Sequence, residues 1–322
     1  IDDGVSDREI AILITQNKQS KPIAAALRNL DIEYVERDHF NFFKRREIKD
    51  VAALLRLLVN PQDEGSARRA ARRLIPGVGE QAVKKILETG RSAGLRICDL
   101  LDSHVVEQGD SFWGFHLDDV VVLDVETTGK TSEDEVVEIF AQRVRQGQPT
   151  KETFRANIRP NRKVGASEKI HGLTDVFLSE EGKEAGPVME EFIEFLGTSP
   201  VAGHNIRFDV DMLESSARSA GLDIDLNIGF DTLDASRRLH HTKSHSLEDL
   251  ASELQLTSKP SHRAADDVQA TIELSERLRR KSSEKLGIRQ SLINEFESKF
   301  AELRQQIKSW RKNKNEWRPE DL

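Results

Sequence analysis

Hydrophobic positions change their spacing about a third of the way along the chain, and the change predicts two architectures. Early on, Ile48, Val51, Leu54, Leu55 and Leu58 recur every three or four positions, which predicts a helix over 46–58. Asn60-Pro61 ends it. Further helices are expected over 64–74 and 80–88, on either side of the turn Ile75-Pro76-Gly77-Val78-Gly79. Nearer the start, residues 10–15 and 32–35 read as short strands around a helix over 22–30, with Pro22 in its first turn. Residues 109–114 read as a linker. Beyond it, Val120–Val125 is an unbroken, mostly β-branched run, as in a strand covered on both faces. Strands over 136–144, 153–158 and 200–202 interleave with helices over 187–196, 209–220, 246–254 and 264–278, which predicts an α/β sheet flanked by helices. Last, Ile293, Phe296, Phe300, Leu303, Ile307 and Trp310 step by three and four. That is the seam of a long amphipathic helix over 284–310, expected to pack on another element rather than form a free coiled coil.

Composition narrows the picture. With 322 residues, at roughly 150 per domain, two domains are expected. Hydrophobic residues make up 37% and charged residues 32%, as in a polar globular protein. No apolar run approaches the roughly 20 residues that span a bilayer, so no membrane partner is expected. The single cysteine, Cys98, excludes an intramolecular disulfide and fits a reducing cytoplasm; it reads as a small buried apolar residue. The chain begins with Ile, mid-pattern, and reads as a piece of a longer protein. The net charge of −8 is unevenly spread, because Arg277–Arg318 holds thirteen Lys/Arg against five Asp/Glu. An acidic body with a basic tail suits a protein that traps cations at one place and tracks phosphates at another. A solvated helix face explains the tail equally well.

Three segments carry candidate chemistry. In Asp124-Val125-Glu126, at the end of the apolar strand, the two carboxylates project to one side. They repel unless a cation pairs them, and Thr127-Thr128-Gly129 follows as a sharp exit. Gly203-His204-Asn205-Ile206-Arg207-Phe208-Asp209 follows a short strand, and Asp209 opens a helix, where a capping role is the plain alternative. In His262-Arg263-Ala264-Ala265-Asp266-Asp267, His262 precedes a helix that contains Asp267, while Asp266 is expected to face outward.

In this order, the segments VVLDVETTG, GHNIRFD and HRAADD resemble the three motifs of the DEDDh exonucleases, which include the proofreading epsilon subunit of bacterial DNA polymerase III. ASEKIHGLTD, DTLDASRRL and HSLEDLASEL resemble the segments that accompany those motifs. The resemblance spans residues 113–280 and implies an RNase H-like fold with a mixed central sheet. It implies a 3′→5′ exonuclease that releases nucleoside 5′-monophosphates. Two Mg²⁺ or Mn²⁺ ions are implied, held by Asp124, Glu126, Asp209 and Asp267, with His262 as general base. Two such ions about 3.5–4 Å apart would activate water and stabilise the leaving oxygen. The resemblance also implies substrate contacts at Thr127, Thr128, His204, Asn205 and Phe208, although Phe208 reads equally well as core. His171 reads as a structural hydrogen-bonding residue, and His240, His241 and His245 lack regular ligand spacing. Trp113, Trp310 and Trp317 read as packing residues rather than base-stacking ones.

The N-terminal third carries a second resemblance. REIAILITQNKQSKPIAAALRNLDIEYV, FFKRREIKDVAALLRLLVNPQDE and IPGVGEQAVKKIL resemble superfamily-1 helicases of the UvrD/Rep/PcrA type. The match implies a RecA-like segment over 1–36 and an accessory helical segment over 37–112. If the parent protein holds the rest of the helicase, the exonuclease region is expected as an insertion in or near the accessory segment, with the basic helix over 281–322 a candidate to return toward it. Ile14-Thr15 stands where that family usually has Tyr-Arg, and no GxxxxGK[ST] is present, so no ATP site is expected within the chain. Gly77, Val78 and Gly79 resemble a helix–hairpin–helix turn and are candidates for DNA-backbone contact, with Arg68, Arg69, Arg72, Arg73, Lys84 and Lys85 around them. The expected partner is DNA with single-stranded 3′ ends, with RNA open, and replication or helicase proteins beside it. A purely nucleic-acid-binding module and an ATP-driven motor are the competing readings.

Overall fold

The structure, a computed structural model, describes residues 10–35, 43–102 and 119–312. The expected linker at 109–114, Trp113 and Trp317 lie outside the described residues.

The N-terminal part is helical. Helix α1 (Ser20–Asn29) is followed by α2 (Arg46–Val59), α3 (Glu64–Leu74), α4 (Glu80–Lys85) and the short α5 (Ile97–Leu100). Helix α4 runs on into a π-helical turn over Ile86–Gly90. Asp63 caps α3 by accepting the Ser66 N–H at 3.0 Å. The strands expected over 10–15 and 32–35 do not form. Neither stretch pairs with a strand, and Ile12, Leu13 and Val35 are exposed. A strand needs a hydrogen-bonded neighbour, and the one sheet among the described residues lies elsewhere in the chain.

That sheet holds β1 (Asp119–Thr127), β2 (Val136–Arg145), β3 (Gln148–Asn157), β4 (Val201–Gly203) and β5 (Ile228–Asp231) in the order β3-β2-β1-β4-β5. The β1–β2 and β2–β3 pairs are antiparallel, whereas β1–β4 and β4–β5 are parallel. Helices α6 (Glu168–His171), α7 (Asp175–Glu181), α8 (Ala185–Leu196), α9 (Ile206–Ser219), α10 (Thr232–Leu239), α11 (Leu247–Glu253) and α12 (Ala264–Glu284) surround it. Alternation along β1 divides the core in two. Val121, Leu123 and Val125 pack with Phe192 of α8 and Leu213 of α9, while Val120 and Val122 pack with Val268 and Leu274 of α12. The result is a mixed sheet with helices on both faces.

The final helix, α13 (Leu286–Lys312), does not stand free. Its Leu292, Ile293, Phe296, Phe300, Leu303 and Ile307 join Leu57, Ala71, Val83, Ile86 and Leu100 in one core, with Trp310 packed at its edge. The helical module is therefore built from chain on both sides of the sheet module. A buried ion pair joins the two. Arg238 of α10 donates two bonds to Asp99 of α5, at 2.8 and 2.7 Å, and a third to Gln62 Oε1 at 2.6 Å. Both charged side chains are almost wholly out of water. Among the described residues, no helix is long and apolar enough to cross a membrane.

Candidate active site

Parity along β1 builds the centre of the site. Asp124 and Glu126 share the face of Val120 and Val122, so they project toward α12, which supplies Asp267 from its first turn. One carboxylate oxygen from each of Asp124, Glu126 and Asp267 lies within 4.8 Å of the others. Asp209 stands just behind. It sits in the first turn of α9 and does not cap that helix, whose N-cap is Asn205 in a left-handed conformation (φ 67°). Its Oδ1 instead accepts the Val125 N–H at 3.0 Å, which ties α9 to the strand carrying the other acids. The turn leading to it depends on Gly203. A Cβ there would come 3.0 Å from the Leu123 carbonyl oxygen and 2.9 Å from Ile206 Cδ1.

The carboxylates are held against their own electrostatics. Burial pushes Asp124 well above the usual carboxylate range, and Asp209, Asp267, Glu126 and Glu138 add to the effect. Burial, then Asp267 and Glu138, push Glu126 up to about 8. Asp209 is likewise pushed up to about 8 by burial, against the opposing Val125 hydrogen bond. Burial raises Asp267 too, opposed by the Ser261 N–H that it accepts at 2.9 Å. Clustered hard oxygen donors in such a setting fit one or two divalent cations of the Mg²⁺ or Mn²⁺ class, which would relieve both the desolvation and the repulsion.

His262 lies on the loop before α12 in a left-handed conformation (φ 57°). Its imidazole is half-exposed, and Nε2 lies 3.1 Å from Glu248 Oε1. The structure thus places it at the rim, paired with Glu248, rather than among the clustered oxygens. Asp266 faces outward and accepts the Ser261 hydroxyl at 2.6 Å.

The other predicted residues divide into engaged and open groups. Thr128 is committed to its loop. Its N–H donates to Glu135 O at 2.9 Å, its hydroxyl donates to Asp134 Oδ1 at 3.0 Å, and its carbonyl accepts from Ser167 Oγ at 2.9 Å. Thr127 is buried beside it and its hydroxyl donates to Gly129 O. His204 Nε2 donates to His245 O at 2.9 Å and its Nδ1 meets Thr232 Oγ1 at 3.0 Å, while burial lowers its pKa. Asn205 donates its N–H to Asp231 Oδ1 at 2.9 Å and its side chain is exposed. Phe208 is half-buried against the α8–α9 core. His171 is buried, with Nδ1 accepting the Leu173 N–H at 3.0 Å. In the helical module Val78 is core, Gly77 is left-handed (φ 76°) and Gly79 is the N-cap of α4. Three of the arginines around this turn are paired. Asp50 takes Arg69 at 2.7 Å and Arg73 at 3.6 Å, and Glu80 takes Arg72 at 3.0 Å.

Sequence reasoning missed Glu138 and Arg263. Glu138 lies directly across the ladder from Glu126, wholly buried, with Arg155 at 2.9 Å and Arg263 at 3.4 Å. The signal was an acid inside the apolar run Val136-Val137-Glu138-Ile139, since a buried carboxylate requires a partner.

Comparison with known proteins adds two kinds of likeness. Residues 3–321 match the family model of the UvrD-like helicase C-terminal domain. The chain is also similar to PolC-type DNA polymerase III. It is 28% identical to that of Caldanaerobacter subterraneus over 239 residues, which is 71% of this chain and 16% of that protein. It is 34% identical to that of Thermotoga petrophila over 157 residues, 48% of this chain and 11% of that protein. The chain thus spans about a sixth or less of the length of these relatives. Among solved structures, Escherichia coli exonuclease I in complex with a dT13 oligonucleotide superposes with a TM-score of 0.48 at 18% identity, covering 52% of this chain and 42% of that one. Exonuclease I from Methylocaldum szegediense gives 0.46 at 24% identity, covering 53% and 42%.

Proposed function

The chain belongs to the UvrD-like helicase C-terminal domain family, and from that premise we propose that its sheet module is a DEDDh-type 3′→5′ exonuclease set within a helicase-derived helical module. The observation that carries the reading is the convergence of Asp124, Glu126 and Asp267 within 4.8 Å on one face of the sheet. Partial identity to PolC-type DNA polymerase III favours DNA as the substrate.

Asp124, Glu126, Asp209 and Asp267 would hold divalent cations, which when bound supply charge neutralisation at the attacked phosphate and the leaving oxygen. The protein's own contribution is positional. The Val125 N–H fixes the Asp209 carboxylate, and the Ser261 N–H fixes that of Asp267. Glu138, clamped by Arg155 and Arg263, braces the strand opposite Glu126. His262 accepts the proton of the attacking water, and Glu248 steadies the imidazolium that results. Hydrolysis from the 3′ end then releases nucleoside 5′-monophosphates.

The test is digestion of single-stranded DNA labelled at either end, in Mn²⁺. A 3′ label is expected to leave as mononucleotide at once, while a 5′ label yields a descending ladder. Asp124→Ala and Asp267→Ala are expected to abolish both. His262→Ala is expected to slow cleavage by about 10²–10⁴-fold with DNA binding retained. Wild-type protein that binds the oligonucleotide in Mn²⁺ and leaves it intact would refute the enzyme reading in favour of a binding module. A matched RNA strand, digested in parallel, settles the sugar preference.

A further inference from the structure

An open cleft of about 640 Å³ lies on the boundary of the two modules, lined by Arg91, Arg237, His240, His241, Lys243 and His245. Arg91 comes from the helical module, just after the π-helical turn, and the others from the end of α10 and the loop before α11. Arg91, Arg237 and Lys243 are exposed. None of the three pairs with a carboxylate among the described residues, although nearby Arg238, Arg96 and His240 all do. Three unneutralised cations facing one open space form a site for a polyanion.

Its placement says which one. Helix α10 begins at Thr232, whose hydroxyl meets His204, and Arg237 lies five residues further on, about 8 Å along the axis. The following loop then returns. His245 Nδ1 meets Ser236 Oγ at 3.0 Å, and its carbonyl accepts from His204 Nε2 at 2.9 Å. His204 directly precedes Asn205, the N-cap of the helix that carries Asp209. One wall of the cleft is therefore tied through His204 to the turn that leads to Asp209. The buried Arg238–Asp99 pair, one residue beyond Arg237, fixes the helical module against α10, and Arg91 of that module lines the same cleft as Lys243. We propose that this inter-module cleft holds backbone phosphates of a single-stranded polynucleotide, upstream of the end seated at the acidic cluster. The identity of the occupant rests on the exonuclease reading above; the presence of an anion site does not.

The experiment uses the full chain in EDTA and measures anisotropy of 5′-fluorescein 20-mers across a salt series. Wild type is compared with Arg237→Ala/Lys243→Ala and with Arg91→Ala. Each cation removed is expected to flatten the slope of log K against log salt by about 0.7, and the double variant is expected to bind roughly tenfold more weakly. Hydrolysis of the p-nitrophenyl ester of thymidine 5′-monophosphate in Mn²⁺, which occupies only the acidic site, is expected to stay unchanged. Matched DNA and RNA strands report which polynucleotide feels the loss. Wild-type affinity and slope in all variants on both strands overturns the proposal, as does equal competition by polyglutamate. Loss of ester hydrolysis in parallel with binding also overturns it. An inactive wild type sinks the exonuclease reading alone, because the EDTA binding series still reports on the cleft.

Discussion

The two modules treat buried charge in opposite ways. At their boundary Arg238 and Asp99 are both almost wholly out of water and paired, with two mutual hydrogen bonds, Gln62 on the other terminal nitrogen and Asp234 3.0 Å from Nε. In the sheet module Asp124, Glu126, Asp209 and Asp267 form no ion pair with a Lys or Arg among the described residues, Arg263 acts on Glu126 only from a distance, and burial raises all four. Arg263 and Arg155 pair with Glu138 instead. A fold that needed these acids only for stability would pair them, as it pairs Asp99. Leaving them unpaired costs stability in the absence of cations and creates affinity in their presence.

The sharpest break of this contrast lies at the paired end. Asp99→Ala leaves the buried Arg238 guanidinium with Asp234 as its remaining carboxylate partner, and removing one partner of a buried pair costs about 3–5 kcal/mol. Urea unfolding is expected to show that loss. It is also expected to show recovery of most of it in Asp99→Leu/Arg238→Met, where an apolar pair replaces the charges. A single variant as stable as wild type would mean that the boundary does not depend on this pair.

The same substitution logic has the opposite sign in the acidic cluster. Asp124→Asn removes a buried carboxyl whose ionisation is opposed by burial and by its acidic neighbours. In EDTA the variant is expected to melt about 2–4 °C higher than wild type, the shift produced by ~1 kcal/mol in a protein of this size. Mn²⁺ is expected to raise the wild-type melting temperature and to leave the variant's nearly unchanged. A variant that melts lower than wild type in EDTA, with the cation effect intact, contradicts the unpaired reading of the cluster.

What the sequence disclosed follows the same division between local and distant causes. The alternation that sends Asp124 and Glu126 to one face is a property of five consecutive residues, and the seam of α13 is one of a single helix, so both were legible. Strand β5 and helix α10 were not. Ile228–Asp231 is four residues long and pairs only with β4, so no periodic signal accumulates before Thr232 opens the helix. The stretches at 10–15 and 32–35 erred the other way, since apolar content suggested strands but pairing requires a neighbour. Asp209 was weighed as a helix cap because sequence shows its distance from a helix start and not the Val125 N–H 84 positions away. The Arg238–Asp99 pair joins residues 139 apart, and the facing of Glu138 and Glu126 depends on strand register; no local pattern encodes either. The return of the α13 seam to the helical module followed from the helicase resemblance and from no local pattern, because its core residues come from the far side of the sheet module.

The smallest expected effect, and the one that reads the cluster without altering it, is the pH dependence of the metal-free protein. Unfolded carboxylates titrate near 4, whereas Glu126 and Asp209 are pushed up to about 8 in the folded chain. Between those values the folded state holds protons that the unfolded state has released. Stability from these groups is therefore fully present below about pH 4 and is lost as pH rises toward 8. In EDTA the melting temperature is expected to decline across pH 5 to 8, beyond any decline seen in Asp124→Asn. Saturating Mn²⁺ is expected to flatten or reverse that slope, because cation binding favours the ionised carboxylates. A wild-type slope that matches the variant's, with and without Mn²⁺, would show that these acids are ionised and compensated in the free protein. The cluster would then belong with Asp99 as structure rather than apart from it as a site.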